Sequence, residues 1–280
     1  MDKNKVKILI DQCAKDNPGL QVSAILELSD NKIYSSVPTL IELTSSPNEN
    51  VRGAAAEALG YLGEPKIGEV GPVLLRLLDD QDYLVRDDAV KSLGKLAYPP
   101  ARISLEHLLL NDAEWLVRAS AAEALGYLRD ELSFDPLKVA LTKDEVEVVR
   151  GWAAFSLGLL ENNGGLALLA SQLKTEEDDT VRVDILFASY RLGSQSDLRT
   201  LLALSTASDK VLTYNIVNRF KNLLKLKRPP TLAEDAGDIQ RSLKGIAERF
   251  PILQSQVDEI INKLSIIKTK KGLNYPELRR

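Results

Sequence analysis

A segment of about 32 residues recurs along this chain, and the repeat limits the possible folds more than any other feature of the sequence. Five copies contain an arginine at the same place, and successive arginines are 34, 32, 32 and 32 residues apart. The five are Arg52, Arg86, Arg118, Arg150 and Arg182. In all five a valine precedes the arginine and a Leu-Gly follows it, and in most of them small residues lie in between, as in residues 51–62. A fixed period of this length is typical of architectures in which similar units stack along one direction.

One period contains two helices. Val51, Ala55, Ala58, Leu59 and Leu62 lie within a narrow arc at 100° per residue, which predicts a helix with one apolar face. The preceding part of each period has similar spacing, and acidic turn residues separate the two segments. Asp and Asn at such positions cap the following helix, and their charge suits its positive end. Because no strand-like alternation competes, the sequence predicts an all-α protein.

Helix pairs of this size cannot bury their apolar faces alone, so they must stack into a solenoid with one continuous core. The sequence predicts seven helix pairs stacked in a right-handed superhelix. Their expected limits are 3–29, 34–62, 67–97, 101–128, 134–160, 164–192 and 196–225. The solenoid is expected over 1–225, a proline-containing linker over 226–236, capping helices over 237–265 and a basic tail over 266–280.

The repeated arginine is expected to be structural. We predict that each one bridges to the acidic turn of its own or an adjacent repeat, so that Arg52, Arg86, Arg118, Arg150 and Arg182 form a ladder along the stack. The glycine that ends each second helix fits either a helix stop or a close helix crossing.

Composition removes several classes of function. The chain has one His and one Cys, too few for a zinc tetrahedron or a Cys₄ iron-sulfur site. We therefore expect no soft-metal catalysis. We assign no catalytic residue and expect no metal or cofactor. No apolar run approaches the 18 residues of a transmembrane helix, and the N-terminus has no signal-peptide core. The expected location is the cytoplasm.

Charge is distributed unevenly. Residues 1–218 hold 22 basic and 33 acidic side chains, whereas residues 219–280 hold 14 basic and 7 acidic ones. An acidic solenoid repels phosphates, so we expect no nucleic-acid partner. The basic end is expected to offset the acidic body or to contact an anionic surface weakly.

The pattern Asp-x-x-x-Val-Arg-x-x-Ala-Ala-x-Ala-Leu-Gly-x-Leu, fullest over 111–128, resembles the HEAT-like repeat of the phycobilisome-lyase family. The resemblance covers about residues 19–225. It implies an α-solenoid whose second helices line the concave side. The family includes bilin lyases and isomerases, proteins of phycobilisome degradation and scaffolds with other roles. The shared residues are packing residues, so the resemblance brings no catalytic group with it.

The predicted binding surface is the face of each second helix opposite the core. It contains the residues one, four, five and eight positions after the repeated Arg, and it changes from small and charged to aromatic along the chain. The residues expected to contact a protein partner in the groove are Glu57, Lys91, Glu123, Trp152, Phe155, Phe187 and Tyr190. Exposed aromatic rings are typical of binding hot spots. If these rings bind a partner, Phe155 and Phe187 should be accessible to solvent. The alternative is that the rings pack between second helices or beneath the cap.

Three functions stay open. The first is a non-catalytic scaffold, adaptor or chaperone, and the resemblance implies a phycobiliprotein or phycobilisome component as its partner. The second is a bilin-lyase subunit that acts with a second HEAT-repeat subunit. In it Tyr61, Tyr127 and the aromatic residues of the groove would stack on the bilin. Glu57 or Glu123 would accept its pyrrole N–H groups, and Lys91 would meet a propionate. The third, more remote function is a scaffold for iron-sulfur assembly factors, to which Cys13 is the only thiol the chain can offer.

Overall fold

The computed structural model describes residues 2–160, 162, 164–207, 209–225 and 228–270. Within these residues all regular structure is helical, and sixteen α-helices follow one another in pairs. They are α1 (Lys3–Cys13), α2 (Pro18–Asp30), α3 (Val37–Leu43), α4 (Glu49–Leu62), α5 (Ile67–Leu77), α6 (Tyr83–Lys95), α7 (Arg102–Asn111), α8 (Trp115–Leu128), α9 (Phe134–Lys143), α10 (Glu147–Leu157), α11 (Gly165–Gln172), α12 (Asp179–Arg191), α13 (Gln195–Ala207), α14 (Lys210–Lys225), α15 (Leu232–Arg249) and α16 (Gln254–Lys270). The predicted all-α fold of paired helices is confirmed.

The chain divides into two compact units, Met1–Ser156 (unit 1) and Leu157–Arg280 (unit 2). In unit 1 the even-numbered helices are the second helices of their pairs. Along the row α2, α4, α6 and α8, each helix contacts the next one and the first helix of its own pair. This row is the part of unit 1 on which the candidate site lies.

Polar side chains of the preceding turns cap the N-termini of several second helices. The Asn48 side chain accepts a hydrogen bond from Val51 N at the start of α4, and Asp82 accepts from Leu84 N and Val85 N at the start of α6. In unit 2, Asp178 accepts from Val181 N at the start of α12. Each cap satisfies a backbone N–H that has no partner within the helix.

Small residues let the second helices of unit 1 approach closely. A Cβ atom added at Gly60 would lie 2.9 Å from the Ser92 Cα, and one at Gly94 would lie 3.0 Å from the Ala124 Cα. The Ser92 hydroxyl also donates to the Ala56 carbonyl at 2.9 Å. The glycines inside these helices therefore serve close helix crossings. In unit 2, by contrast, Gly193 follows α12 with φ at 108° and stops the helix.

The repeated arginines link successive turns. Arg86 donates two hydrogen bonds to the Asp112 carboxylate, at 2.8 and 2.9 Å, and two more to backbone carbonyls of its own turn. The backbone carbonyl of Asp112 in turn accepts a hydrogen bond from Arg118. The same two-way joint is repeated by Arg52 on Asp80 and by Arg118 on Asp144. Arg150 donates to the carbonyls of residues 144 and 145. Arg182 bonds to Asp179 of its own turn.

Unit 2 has one apolar cluster that joins α12 to α16. Phe187 and Tyr190 from α12 pack there with Phe220 from α14 and with residues of the last two helices, such as Ile239 and Val257. Within the described residues, the C-terminal helices therefore share this core with the preceding helix pairs.

The C-terminal boundaries differ in detail from the expected ones. Helix α15 begins at Leu232, inside the expected linker, because Glu234 and Asp235 in its first turn stabilise a helix N-terminus directly after Pro229 and Pro230. Helix α16 continues to Lys270, five residues into the expected basic tail. The rest of that tail, residues 271–280, and linker residues 226 and 227 lie outside the described residues.

Candidate functional site

The accessible face of the second helices in unit 1 is rotated from the expected one. The positions one, four and eight after the arginine are buried, as Gly53, Ala56 and Gly60 show. They face the neighbouring second helix, and the prediction that they belong to the open surface is wrong. The accessible positions are five and nine after the arginine.

These two positions on three consecutive helices form one surface, which we call the outer stripe. Its residues are Glu57, Tyr61, Lys91, Lys95, Glu123 and Tyr127. The first four are exposed and the last two are half-buried. The stripe includes three residues of the expected binding set, Glu57, Lys91 and Glu123. The position nine after the arginine was not counted as part of the predicted face, although it follows position five by one helical turn.

Contacts within the stripe hold its long side chains in place. The Lys95 ammonium lies 3.6 Å from the centre of the Tyr61 ring, a cation–π distance. The Tyr127 hydroxyl donates to Glu123 at 2.8 Å, and Lys91 pairs with Asp87 at 2.5 Å. Tyr61 nevertheless leaves 57% of its surface exposed, so the stripe combines positioned charges with open aromatic area.

Two cavities open between the second helices. The larger, about 490 Å³, lies between α2 and α4, and the smaller, about 220 Å³, lies between α6 and α8. Leu26, Tyr34 and Tyr61 supply apolar surface to the first, and Asp30, Lys32 and Glu57 supply its charges. Leu26, Lys32 and Tyr34 lie outside the repeated Val-Arg pattern, so the pattern did not predict them.

Two adjacent carboxylates lie beneath the stripe. Asp87 is buried and accepts hydrogen bonds from Lys91 and from the Ser120 hydroxyl. Asp88 packs against Gly53 of α4, where its Oδ2 lies 2.7 Å from the place a Cβ would take. Burial, followed by the charges of Asp87 and Glu57, raises the pKa of Asp88 from 3.8 to about 7.

The expected accessibility of Phe155 is wrong. Trp152 is half-buried, but Phe155 leaves only 5% of its surface exposed. Its ring lies edge-on against Tyr127 and Trp152, with centroid distances of 6.5 and 5.3 Å. An aromatic side chain that fills such a cluster is a packing residue, so Phe155 belongs to the core of unit 1.

Phe187 and Tyr190 are also buried, which corrects their assignment to an open groove. Phe187 is 4% exposed, and its ring packs edge-on against Phe220 at 4.8 Å. Tyr190 is fully buried, and its hydroxyl donates to Asp235 of α15 at 2.9 Å. Burial in this setting raises the pKa of Tyr190. Both forms of the alternative are observed. The C-terminal helix α15 covers Tyr190, and Phe187 packs between the second helices α12 and α14.

Cys13 is buried in α1, and burial raises the pKa of its thiol. A raised pKa lowers the population of the thiolate, the form that binds metals. Across the described residues no three His, Cys, Asp or Glu side chains are grouped so as to hold a metal ion. The helices of the same residues include none long and apolar enough to cross a membrane.

The sequence matches the family model for HEAT repeats over residues 6–94, 67–126 and 104–189. Together these segments span well over half of the chain. No curated protein sequence is similar enough to count as a match.

Solved structures share the fold at low sequence identity. The complex of CpcE and CpcF of phycocyanin lyase from Nostoc sp. PCC7120 is 19% identical with a TM-score of 0.59, over 82% of this chain and 94% of that one. YibA of E. coli is 19% identical with a TM-score of 0.56, over 95% and 93%. Kap95p bound to RanGDP is 14% identical with a TM-score of 0.51, over 95% of this chain but only 43% of that one.

Proposed function

The chain belongs to the HEAT-repeat family, and from this premise we propose that it is a non-catalytic scaffold that binds a protein partner on the outer stripe of unit 1. The observation that carries the proposal is the stripe itself. Six long charged or aromatic side chains stand in register on three adjacent helices, beside two cavities.

The chemistry of the stripe suits a protein surface. Tyr61 offers a large, rigid ring that is about half exposed. The charges of the stripe change sign from one helix to the next, from Glu57 to Lys91 to Glu123. Tyrosine is enriched at binding hot spots, and alternating charge favours a complementary partner over a uniformly charged polymer. The close packing of Gly60 on Ser92 beneath the stripe keeps the helices in register before a partner binds.

The fold relatives guide the choice of partner. CpcE and CpcF form a complex in phycocyanin lyase, and Kap95p binds RanGDP, so solenoids of this kind assemble with other proteins. We propose a phycobiliprotein or another phycobilisome component as the partner of this chain.

The experiment compares two variants that lose the same residue types. The stripe variant carries Tyr61→Ala, Lys91→Ala and Lys95→Ala, and the control carries Tyr214→Ala, Lys138→Ala and Lys244→Ala, three exposed residues elsewhere. Binding to immobilised apo and pigmented phycobiliprotein subunits is measured by surface plasmon resonance. We expect at least tenfold weaker binding by the stripe variant and unchanged binding by the control. Equal binding by both variants, or no binding by the wild type, would contradict the proposal.

A second candidate function is a bilin-handling lyase subunit, which the larger cavity favours. Its volume of about 490 Å³ lies within the range of small-molecule sites. Tyr34 and Tyr61 offer ring faces, Lys32 can meet a propionate, and Asp30 can accept pyrrole N–H groups. Titration with free phycocyanobilin decides between the two functions. If the wild type shifts the bilin absorbance and Tyr61→Ala abolishes the shift, the lyase function is favoured. If the absorbance does not change with the wild type, the scaffold function is favoured.

A further inference from the structure

We propose that unit 1 has a second docking surface, for an extended polypeptide segment that carries arginines. It lies where the second helices begin and is separate from the outer stripe. We call it the loop edge, and it consists of residues 79–84, 111–116 and 144–149.

Large apolar side chains are partly exposed to solvent at the loop edge. Tyr83, Leu84, Trp115 and Val148 occupy the first two positions of α6, α8 and α10, and between 38% and 47% of each is exposed. Packing of the repeat does not require them, because the same positions hold Glu49 and Asn50 in α4. At least one of these two positions therefore holds an exposed large apolar residue in each of three successive copies, which indicates an interaction surface.

The arginine ladder fixes these side chains relative to one another. Arg86 joins the turn before α6 to the turn before α8, and Arg118 joins the latter to the turn before α10, each through two hydrogen bonds of 2.8 to 3.1 Å. The apolar side chains therefore form a preorganised row, which lowers the entropic cost of binding.

Charge selects the occupant. The loop edge holds eight carboxylates and no Lys or Arg, although Arg76 and Lys143 lie nearby at the ends of α5 and α9. Asp80, Asp112 and Asp144 bond to ladder arginines and Asp82 caps α6. The four that are left exposed are Asp79, Glu114, Glu145 and Glu147. They attract a cationic segment and repel nucleic acid.

Arginine suits this surface better than lysine. A guanidinium can stack on the Trp115 or Tyr83 ring and at the same time pair with a neighbouring carboxylate such as Glu114. Adjacent packed helices are about 10 Å apart. An extended strand advances about 3.3 Å per residue, so a partner with arginine or leucine at every third residue would match the row.

The test uses fluorescein-labelled peptides of twelve residues, with Arg-Leu-Ser, Lys-Leu-Ser or Glu-Leu-Ser repeated four times. Fluorescence polarisation is measured with the full chain at 50 and 150 mM salt. We expect the arginine peptide to bind at least fivefold more tightly than the lysine peptide, and the glutamate peptide not to bind. Equal binding of the two cationic peptides would overturn the assignment, because it would indicate charge attraction alone.

Two variants locate the site. The edge variant carries Glu114→Gln, Glu145→Gln and Glu147→Gln, and the control removes three exposed acids from the opposite ends of the helix pairs through Glu64→Gln, Glu131→Gln and Asp135→Asn. Binding should fall at least fivefold in the edge variant and stay unchanged in the control.

Tryptophan emission gives a readout that is independent of charge. The chain has two tryptophans, so a Trp152→Phe background leaves Trp115 as the only reporter. A blue shift on addition of the arginine peptide supports the proposal, and constant emission at saturation overturns it. Tyr61→Ala, which tests the outer stripe, should leave this binding intact, so that failure of one surface is distinguishable from failure of the other.

Discussion

At the scale of single residues, arginines at one repeat position have different surroundings. The Asp112 side chain that pairs with Arg86 is 4% exposed, whereas the Asp179 side chain that pairs with Arg182 is 65% exposed. Removal of one member of a buried pair leaves an uncompensated charge, whereas exposed pairs contribute little. The repeat therefore predicts the residue type but not its energetic weight.

Arg86→Met should lower the free energy of unfolding by about 3 kcal/mol. The loss arises because the buried Asp112 carboxylate loses its arginine partner and two turn carbonyls lose their donor. Urea denaturation followed by circular dichroism measures it. The matched control, Arg182→Met, should cost less than about 1 kcal/mol. Similar losses in both variants would show that burial of the acid is not the cause.

Asp88 should make stability depend on pH. Its folded pKa of about 7 lies above the ordinary 3.8, so between these values the unfolded chain releases a proton that the folded chain keeps. Stability should therefore fall as pH rises through this window and level off above it. Asp88→Asn should stabilise the protein by about 1 kcal/mol at pH 8 and by almost nothing at pH 4.

Thermal denaturation at the two pH values checks the Asp88 prediction. Asp135→Asn, a change at an exposed carboxyl, serves as the control and should alter stability by less than about 0.5 kcal/mol at both. An equal gain from Asp88→Asn at pH 4 and pH 8 would refute the titration argument.

At the scale of helices, glycine has opposite roles in different elements. Gly94 lies in the contact between α6 and α8, where a Cβ would meet the Ala124 backbone at 3.0 Å. Gly245 lies inside α15, and among the described residues no atom other than the adjacent backbone of its own helix lies within 4 Å of the place its Cβ would take. The first glycine permits close packing, and the second only weakens its helix.

Gly94→Ala should therefore destabilise the protein by about 2 kcal/mol, because helix backbones would have to separate. Gly245→Ala should stabilise it by about 1 kcal/mol through helix propensity. Guanidinium denaturation of both variants provides the measurement. Stabilisation by both substitutions would mean that the α6 and α8 contact tolerates an extra methyl group.

The same helices show which parts of the structure were predictable. The period, the helix pairs and the capping of second helices by Asp and Asn of the turns depend on local patterns, and they were predicted. The accessible face was displaced because each second helix also packs against neighbouring second helices, and the crossing geometry decides which positions are covered. Tyr190 was misplaced because α15, which supplies Asp235, follows some 40 residues later without any repeat signal.

At the scale of the whole molecule, the described contacts of a helix pair are mainly with its immediate neighbours in sequence. Stability in such arrays is approximately a sum of local terms, so unfolding need not be a single two-state event. A change at one joint should therefore have its largest effect on the adjacent pairs.

Hydrogen exchange with mass spectrometry tests this expectation on the Arg86→Met variant. Peptides from α5 to α8 should lose the most protection, α1 and α2 less, and α14 to α16 the least. In the Arg182→Met control, α5 to α8 should keep their protection. A uniform loss along the chain would instead indicate that the protein unfolds as one cooperative block.

The two-way joint of the ladder has a consequence for how such a chain can change in length. Asp80 and Asp112 occupy equivalent positions in successive repeats. The carboxylate of each accepts hydrogen bonds from one arginine, and its backbone carbonyl accepts a hydrogen bond from the next arginine. Loss of residues 80–111 would bring Asp112 into the position of Asp80, beside Arg52 and directly before the turn of Arg118. In-frame duplication or deletion of a gene segment can thus add or remove one copy and recreate the joint, so selection can alter the copy number without inventing a new contact.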